Sequence, residues 1–370
     1  MFAKKNFFFT SESVCSGHPD KICDQISDAI LDQVLRQDPY GRVAVEALTT
    51  YNRVIIVGEI TAKAKVNYAK IAKDLIKKLG YNNDYFGFSD KSPIEIYIHE
   101  QSPEIAVAVT KKGAGDQGMM FGYACRETKG LMPIPIVFAH KLARMLDRAR
   151  ESKLIPYLYP DGKTLVTFEY KDGKPSTIEK IVVAVPHKET ADFQQVKADV
   201  FDKVVVPVAE SFGIKTRVED FVLNGTGVWH KGGPAADSGL TGRKIVVDTY
   251  GGYARVGGGC FSGKDPTKVD RSGAYAARFI AKNIVANNLA EEAEVGLAYF
   301  IGAQKPTMFE IETFGTAKKS KKVINDFAKK ILDCSVETIL RVLNLRNPIY
   351  LPTATYGHFG RGEFPWEKLV

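Results

Sequence analysis

Residues 18–37 read HPDKICDQISDAILDQVLRQ. From Pro19 to about Gln37, Ile22, Ile26, Ile30 and Val34 recur every four positions, and Asp20, Asp24, Asp28 and Asp32 recur at the same interval two places earlier. The spacing predicts one amphipathic helix with an acidic outer face, on which Asp24, Asp28 and Asp32 are read as solvated. Strands are expected at 42–49 and 53–61, then a helix over 66–79 closed by Gly80, then a strand carrying Ile94, Ile96 and Ile98. The first unit is therefore helix, hairpin, helix, strand.

Two similar units follow. A helix over 134–150 precedes strands at 164–170 and 178–185, joined through Asp172-Gly173, and a helix over 191–212. The last has a strand at 244–249, a helix at 271–286, a hairpin across 294–313 and helices over 320–332 and 336–343. Three units of about 120 residues point to a pseudo-repeat and to an α+β fold of three domains, each a β-sheet covered on one side by helices. A chain of 370 residues also exceeds the roughly 250–300 at which one core stops growing. The linear division is 7–104, 113–231 and 232–370, with no Pro/Ser-rich linker between segments, so the domains can interleave in space.

Composition bounds the class. Apolar residues make up 45% and charged residues 25%, ordinary globular values. Net charge is +8 and the pI about 9.0, which favours acidic partners without choosing among them. Five cysteines, with no CxxC pair, argue against a disulfide framework or a structural zinc site and fit a reducing cytoplasm. The apolar run Phe7-Phe8-Phe9 is too short for a signal-peptide core, and no window reaches membrane-spanning length, so no membrane partner is expected.

Chemistry concentrates between Gly232 and Arg271. Ten glycines fall within the 32 residues from Gly232 to Gly263, a density that lets backbone approach something closely. Arg243, Lys244, Lys264, Lys268 and Arg271 would add a cradle for a polyanion, and Asp237, Asp248, Asp265 and Asp270 are interleaved with them. Carboxylates beside phosphate-binding cations are the ingredients of a magnesium–nucleotide site. Gly258 to Lys264 fits G-x-x-x-x-G-K, but Asp265 stands where Ser or Thr would ligate magnesium and Pro266 follows, so an ordinary P-loop is rejected. At the other end of the chain, Gly17-His18-Pro19-Asp20-Lys21 opens the first helix, whose free amides attract anions. Gly113 to Gly118 matches G-x-G-x-x-G, but no amphipathic helix follows and Glu127 comes too early for a ribose-binding acid. It reads as a constrained turn presenting Asp116.

Taken together, HPDKICDQISDAILD at 18–32, GAGDQG at 113–118, DSGLTGRKIVVDTYGG at 237–252, GGGCFSGKDPTKVDRS at 257–272, and YGHFGR and FPWEK near the C-terminus resemble the S-adenosylmethionine synthetase (methionine adenosyltransferase) family. The matches run in order from end to end. The resemblance implies that methionine sulfur attacks C5′ of ATP and releases triphosphate, which is hydrolysed to phosphate and diphosphate. It implies His18 as the group assisting departure of the ribose oxygen, and Asp20 and Asp270 as ligands of Mg2+, of which two per site are expected. Glu46 is implied as the acid of a K+ site. Lys163, Arg243, Lys244 and Lys264 would bind phosphates, with Asp161, Val228, Trp229, Asp237 and Cys260 completing the ATP site. Glu59, Gln101, Asp116, Asp237 and Lys268 would surround methionine. The family's Arg-Phe pair is Val228-Trp229 here, Cys260 stands where Ala is common, and the lid at 101–112 is shorter than in many relatives. A homo-oligomer is implied, a dimer with active sites at its interface, doubled to a tetramer.

Two other classes are weighed against this. A nucleic-acid module would spread cations along a stripe with aromatic platforms, whereas these cations sit among glycines and carboxylates, so no nucleic acid is expected. A nicotinamide dehydrogenase would rest on Gly113–Gly118 alone. A catalytically silent relative would lack some of the key groups, yet His18, both acids and the lysines are present.

Overall fold

The computed structural model describes residues 6–100 and 113–370. Its strands are β1 (Phe7–Val14), β2 (Arg42–Thr50), β3 (Arg53–Thr61), β4 (Ile94–His99), β5 (Gly118–Cys125), β6 (Lys163–Lys171), β7 (Lys174–Ala184), β8 (Phe221–Leu223), β9 (Gly239–Leu240), β10 (Glu292–Tyr299) and β11 (Met308–Glu312). Its helices are α1 (Pro19–Gln37), α2 (Tyr68–Leu79), α3 (Ile134–Glu151), α4 (Phe193–Val200), α5 (Val206–Glu210), α6 (Ile245–Asp248), α7 (Val269–Ala286), α8 (Lys321–Ile331) and α9 (Val336–Val342). No described helix is long and apolar enough to cross a membrane.

Among the described residues the strands form three sheets, in the orders β4-β3-β2-β9, β1-β6-β7-β8 and β11-β10-β5. Each borrows one strand from another stretch of the chain. β1 joins the sheet of β6, β5 joins that of β10, and β9 closes the ring by pairing with β2. The pseudo-repeat is visible in the first two: a long helix, an antiparallel hairpin (β2-β3, β6-β7), a helix, and a strand returning parallel (β4 on β3, β8 on β7). One long helix covers each sheet, α1 on β2, α3 on β1 and β6, α7 on β5 and β10. Apolar residues of α1 and α7 share one buried core, and those of α3 form a second with β6, β7 and α4.

Local signals behave as their chemistry dictates. Gly80 closes α2 at φ 103°, and Asp172-Gly173 turns the β6-β7 hairpin with both residues at positive φ. Two expected elements differ. The helix over 191–212 forms from Phe193 to Glu210 but not as one regular α-helix: Pro207 has no amide to donate, and a π-turn over Phe201–Val205 lies between α4 and α5. The stretch 244–249 is helical at α6 rather than a strand. Its apolar run is short, and Asp248 donates its amide to the Lys244 carbonyl at 2.8 Å while its side chain is drawn inward by buried Lys21, so tertiary pairing overrides β-propensity.

Candidate active site

The site begins where α1 begins. Pro19, with no amide to leave unpaired, takes the first turn, and His18 is the N-cap, its Nδ1 accepting the Asp20 amide at 3.2 Å. That bond places the ring proton on Nε2. Nε2 is buried and has no hydrogen-bond partner among the described residues. Burial, then the charges of Lys244 and Lys163, push the imidazole down to about 3, so it is neutral at physiological pH. An unpaired buried donor costs about 1–3 kcal/mol, a cost that a ligand acceptor would relieve.

The acidic stripe of α1 does not face water: Asp24 and Asp28 are 0% exposed. The solvated reading fails because the glycine-rich segment lies along that face and supplies donors. Asp20 accepts the Leu240 amide at 3.0 Å, Asp24 the Gly242 amide at 2.8 Å, and Asp28 the Gly263 amide at 2.9 Å. Asp32 takes the Tyr350 and Leu351 amides, both at 3.0 Å. Buried carboxylates also need cations. Lys21 bridges Asp24, at 2.9 Å, and Asp248. Arg271 meets both oxygens of Asp28 at 2.7 and 2.9 Å, and Lys244 meets Asp20 at 2.5 Å. Arg271, expected in the polyanion cradle, is 0% exposed and neutralises Asp28 instead.

Glycine lets the segment lie this close. At Gly263 φ is +79°, and a Cβ would sit 1.9 Å from the Val45 carbonyl oxygen. The close approach inferred from glycine density is real, but here its partner is β2.

An open cleft of about 790 Å³ is bounded by Gly118, Gly242, Gly259, Cys260, Lys264 and Asp270. Asp270, in the first turn of α7, pairs with Lys264 at 2.6 Å. The Lys268 ammonium lies 2.5 Å from Asp265, and Asp265 also accepts the Val43 amide at 2.8 Å. Of the four interleaved aspartates, Asp248 and Asp265 are buried anchors, Asp237 is exposed, and Asp270 borders the cleft.

The remaining candidates spread outward. Lys163 opens β6 opposite Val14, and its charge reaches His18. Asp161 accepts the Gly162 amide at 2.7 Å and the Gly233 amide at 2.8 Å, while burial pushes its carboxyl up to about 6. The Trp229 indole donates to the Lys231 carbonyl at 2.8 Å, beside exposed Val228. Exposed Arg243 lies 4.0 Å from Asp20. Asp116 sits exposed in the turn before β5 and accepts the Gln117 amide at 2.7 Å. Glu59 pairs with His99 at 3.2 Å, and Glu46 stands opposite Val57. Gln101 and the lid at 101–112 lie outside the described residues. Among the described residues no three His, Cys, Asp or Glu side chains form a group able to hold a metal ion by themselves.

The chain thus gathers His18, Asp20, Arg243 and Lys244 at the start of α1, and Lys264, Asp270 and Cys260 around the cleft. Sequence reasoning missed the network of Lys21, Asp24, Asp28 and Arg271 beneath them. A signal was available: like charges at i,i+4 destabilise an isolated helix, so four aspartates in register already call for outside donors and cations.

Comparison with known proteins covers almost the whole chain. The N-terminal, central and C-terminal domains of S-adenosylmethionine synthetase match residues 6–103, 111–229 and 231–368. An S-adenosylmethionine synthase of Clostridium tetani (strain Massachusetts / E88) is 50% identical, over 98% of this chain and 96% of its own length. Counterparts from Brachyspira hyodysenteriae (strain ATCC 49526 / WA1) and Desulforudis audaxviator (strain MP104C) are 47% and 48% identical over 98% of this chain, covering 96% and 95% of their own lengths.

Proposed function

Because the chain belongs to the S-adenosylmethionine synthetase family, and is by that membership a methionine adenosyltransferase acting on ATP and L-methionine, we propose the following chemistry for its site. A methionine sulfur lone pair forms the S–C5′ bond while the C5′–O bond breaks, and that electron pair leaves with the intact triphosphate. Sulfur needs no activating base, so the protein's work is alignment and stabilisation of the departing charge. The observation that carries this reading is the unpartnered Nε2–H of His18, buried, neutral and within the field of Lys163 and Lys244. A neutral imidazole donates a hydrogen bond without donating its proton, which suits an oxygen that leaves as part of a stabilised polyanion.

Lys163, Arg243, Lys244 and Lys264 hold the triphosphate, and the same cations then support its hydrolysis to phosphate and diphosphate. Asp161, Val228, Trp229, Asp237 and Cys260 surround the nucleoside, with the indole stacked on adenine. Glu59, Gln101, Asp116, Asp237 and Lys268 surround methionine.

Asp20 and Asp270 suit Mg2+ as hard oxygen donors. Magnesium is usually held by one or two carboxylates together with substrate phosphates, so a dedicated cluster of three acids is not required. Each acid is paired with a phosphate-site lysine, at 2.5 Å for Lys244 and 2.6 Å for Lys264, and phosphate oxygens would take over those lysines. Bound there, magnesium would neutralise charge on the triphosphate. Glu46, whose field reaches Cys260, would be the acid of the K+ site.

Two protomers pair through the open face of the β4-β3-β2-β9 sheet, and the dimers pair again. On that face lie Leu48, Ile55, Val57, Tyr97 and Leu240, aligned by strand register, with Val57 and Tyr97 exposed. Glu46 and Glu59 share the face, so pairing would complete the site. Incubation with ATP, methionine, Mg2+ and K+ tests the reaction: a sulfonium product with phosphate and pyrophosphate is expected, and release of ADP would sink it.

A further inference from the structure

We infer that Asp24 and Asp28 of α1 are positioning residues, which set the places of the phosphate-binding cations by clamping the backbone on either side of them. The inference rests on the assignment of Arg243, Lys244 and Lys264 to the triphosphate.

Two clamps share one plan. Arg243 and Lys244 are flanked by Gly242, whose amide donates to Asp24 at 2.8 Å, and by α6, whose Asp248 is held by Lys21. Lys21 also binds Asp24 at 2.9 Å. One buried ion pair at the start of α1 therefore grips both ends of the stretch 242–248. Lys264 is flanked in the same way. The Gly263 amide donates to Asp28 at 2.9 Å, and Arg271, paired with Asp28, donates to the Phe261 carbonyl at 2.9 Å and the Lys264 carbonyl at 3.3 Å. In each case the clamped amide belongs to the residue immediately before the first cation.

The helix supplies the ruler. Asp20, Asp24 and Asp28 recur one turn apart, about 6 Å along the axis at 1.5 Å per residue. Asp20 meets the Lys244 ammonium itself, at 2.5 Å, Asp24 the amide before Arg243, and Asp28 the amide before Lys264. Asp24, Asp28 and Lys21 are at most 1% exposed and do not border the cleft. Their effect on substrate passes through the cations. An unfixed backbone would add to the freedom that flexible lysine stems must lose on binding phosphate, so preorganisation of the backbone is what makes a fixed set of phosphate contacts possible.

Asp32 is the internal control. It lies on the same stripe, is buried, and accepts two amides at 3.0 Å, but those belong to Tyr350 and Leu351, which precede no phosphate-site cation. The test compares Asp24→Asn with Asp32→Asn in the full-length protein, measuring kcat, KM for methionine, affinity for inorganic triphosphate with Mg2+, and thermal melting. Asp24→Asn is expected to weaken triphosphate binding at least 10-fold and lower kcat 10- to 100-fold, with methionine KM changed less than 2-fold. Asp32→Asn is expected to change both by less than 3-fold at a similar cost in melting temperature. Equal effects of the two substitutions, or full triphosphate affinity in Asp24→Asn, would overturn the inference. Should Asp24→Asn not fold, Asp248→Asn loosens the other end of the same clamp and carries the same expectations. Failure of the functional reading is separately visible. A wild-type chain that makes no sulfonium refutes that reading, while the contrast in triphosphate affinity needs no turnover.

Discussion

Replacing His18 by Asn separates its N-cap hydrogen bond from the leaving-group role proposed for it. As N-cap, His18 offers Nδ1 to the Asp20 amide at 3.2 Å, and an Asn side-chain oxygen serves that amide equally well, so α1 keeps its start. What disappears is the buried Nε2–H with no partner among the described residues. A hydrogen bond to a charged group contributes about 1.5–3 kcal/mol, and each 1.36 kcal/mol is tenfold in rate, so sulfonium formation should slow by about 10- to 150-fold. Hydrolysis of added inorganic triphosphate breaks no C5′–O bond and should change less than about threefold by the same accounting. Chromatography of the sulfonium and colorimetry of phosphate give the two rates on one preparation. Equal losses would refute the leaving-group role. Because burial, with Lys244 and Lys163, holds this imidazole down to about 3, the wild-type rate should also show no histidine limb between about pH 6 and 8. A limb there that vanished in the variant would contradict the neutral-donor assignment.

Four other outcomes follow from the same geometry. The chain has two tryptophans, Trp229 partly exposed and Trp366 buried, so ATP should quench part of the indole fluorescence, and Trp229→Leu should abolish the change. His140, whose Nδ1 is 2.8 Å from the Ser13 hydroxyl, is pushed down to about 3 by burial, then by Arg361 and Lys21. Its folded value is depressed, so the unfolded chain takes up the proton first as pH falls below about 6.5, and stability is lost in that direction. Relative to His140→Asn, urea titration should show wild type losing about 2 kcal/mol between pH 6.5 and 5, and an unchanged gap would exclude this origin. Gly263→Ala puts a Cβ 1.9 Å from the Val45 carbonyl at φ +79°. The left-handed conformation alone costs roughly 1–2 kcal/mol, so calorimetry should show a lowered melting temperature together with lost activity. Val57→Asp places a charge on the open sheet face, and light scattering should report smaller assemblies, whereas an unchanged mass would rule that face out as the contact.

Much of the fold was legible because its signals are local. The four-residue apolar period of α1, Gly80 at the end of α2 and Asp172-Gly173 in the β6-β7 hairpin each act within a turn of backbone. β1 and β5 were not legible. Their pairing partners, β6 and β10, lie about 150 to 180 residues further along, and nothing in Phe7–Val14 or Gly118–Cys125 announces which edge is open. The π-turn just before Pro207 had its signal in that residue, as a missing donor.

The site divides along the same line. Sequence by itself supplied the candidates, a histidine and two acids at helix starts and lysines among glycines, and the ordered motifs that match one family from end to end. Only the tertiary structure decided which charges remain free for a ligand. Arg243 and Arg271 are the same residue type in one segment, yet Arg243 is exposed and Arg271 is sealed against Asp28. Spacing cannot distinguish a stripe that meets water from a stripe that meets another segment, since both ask for one polar face per turn. That choice is made by the desolvation cost of the carboxylates, which backbone amides of the glycine-rich segment, Lys21 and Arg271 together offset only when the distant segment has folded onto α1.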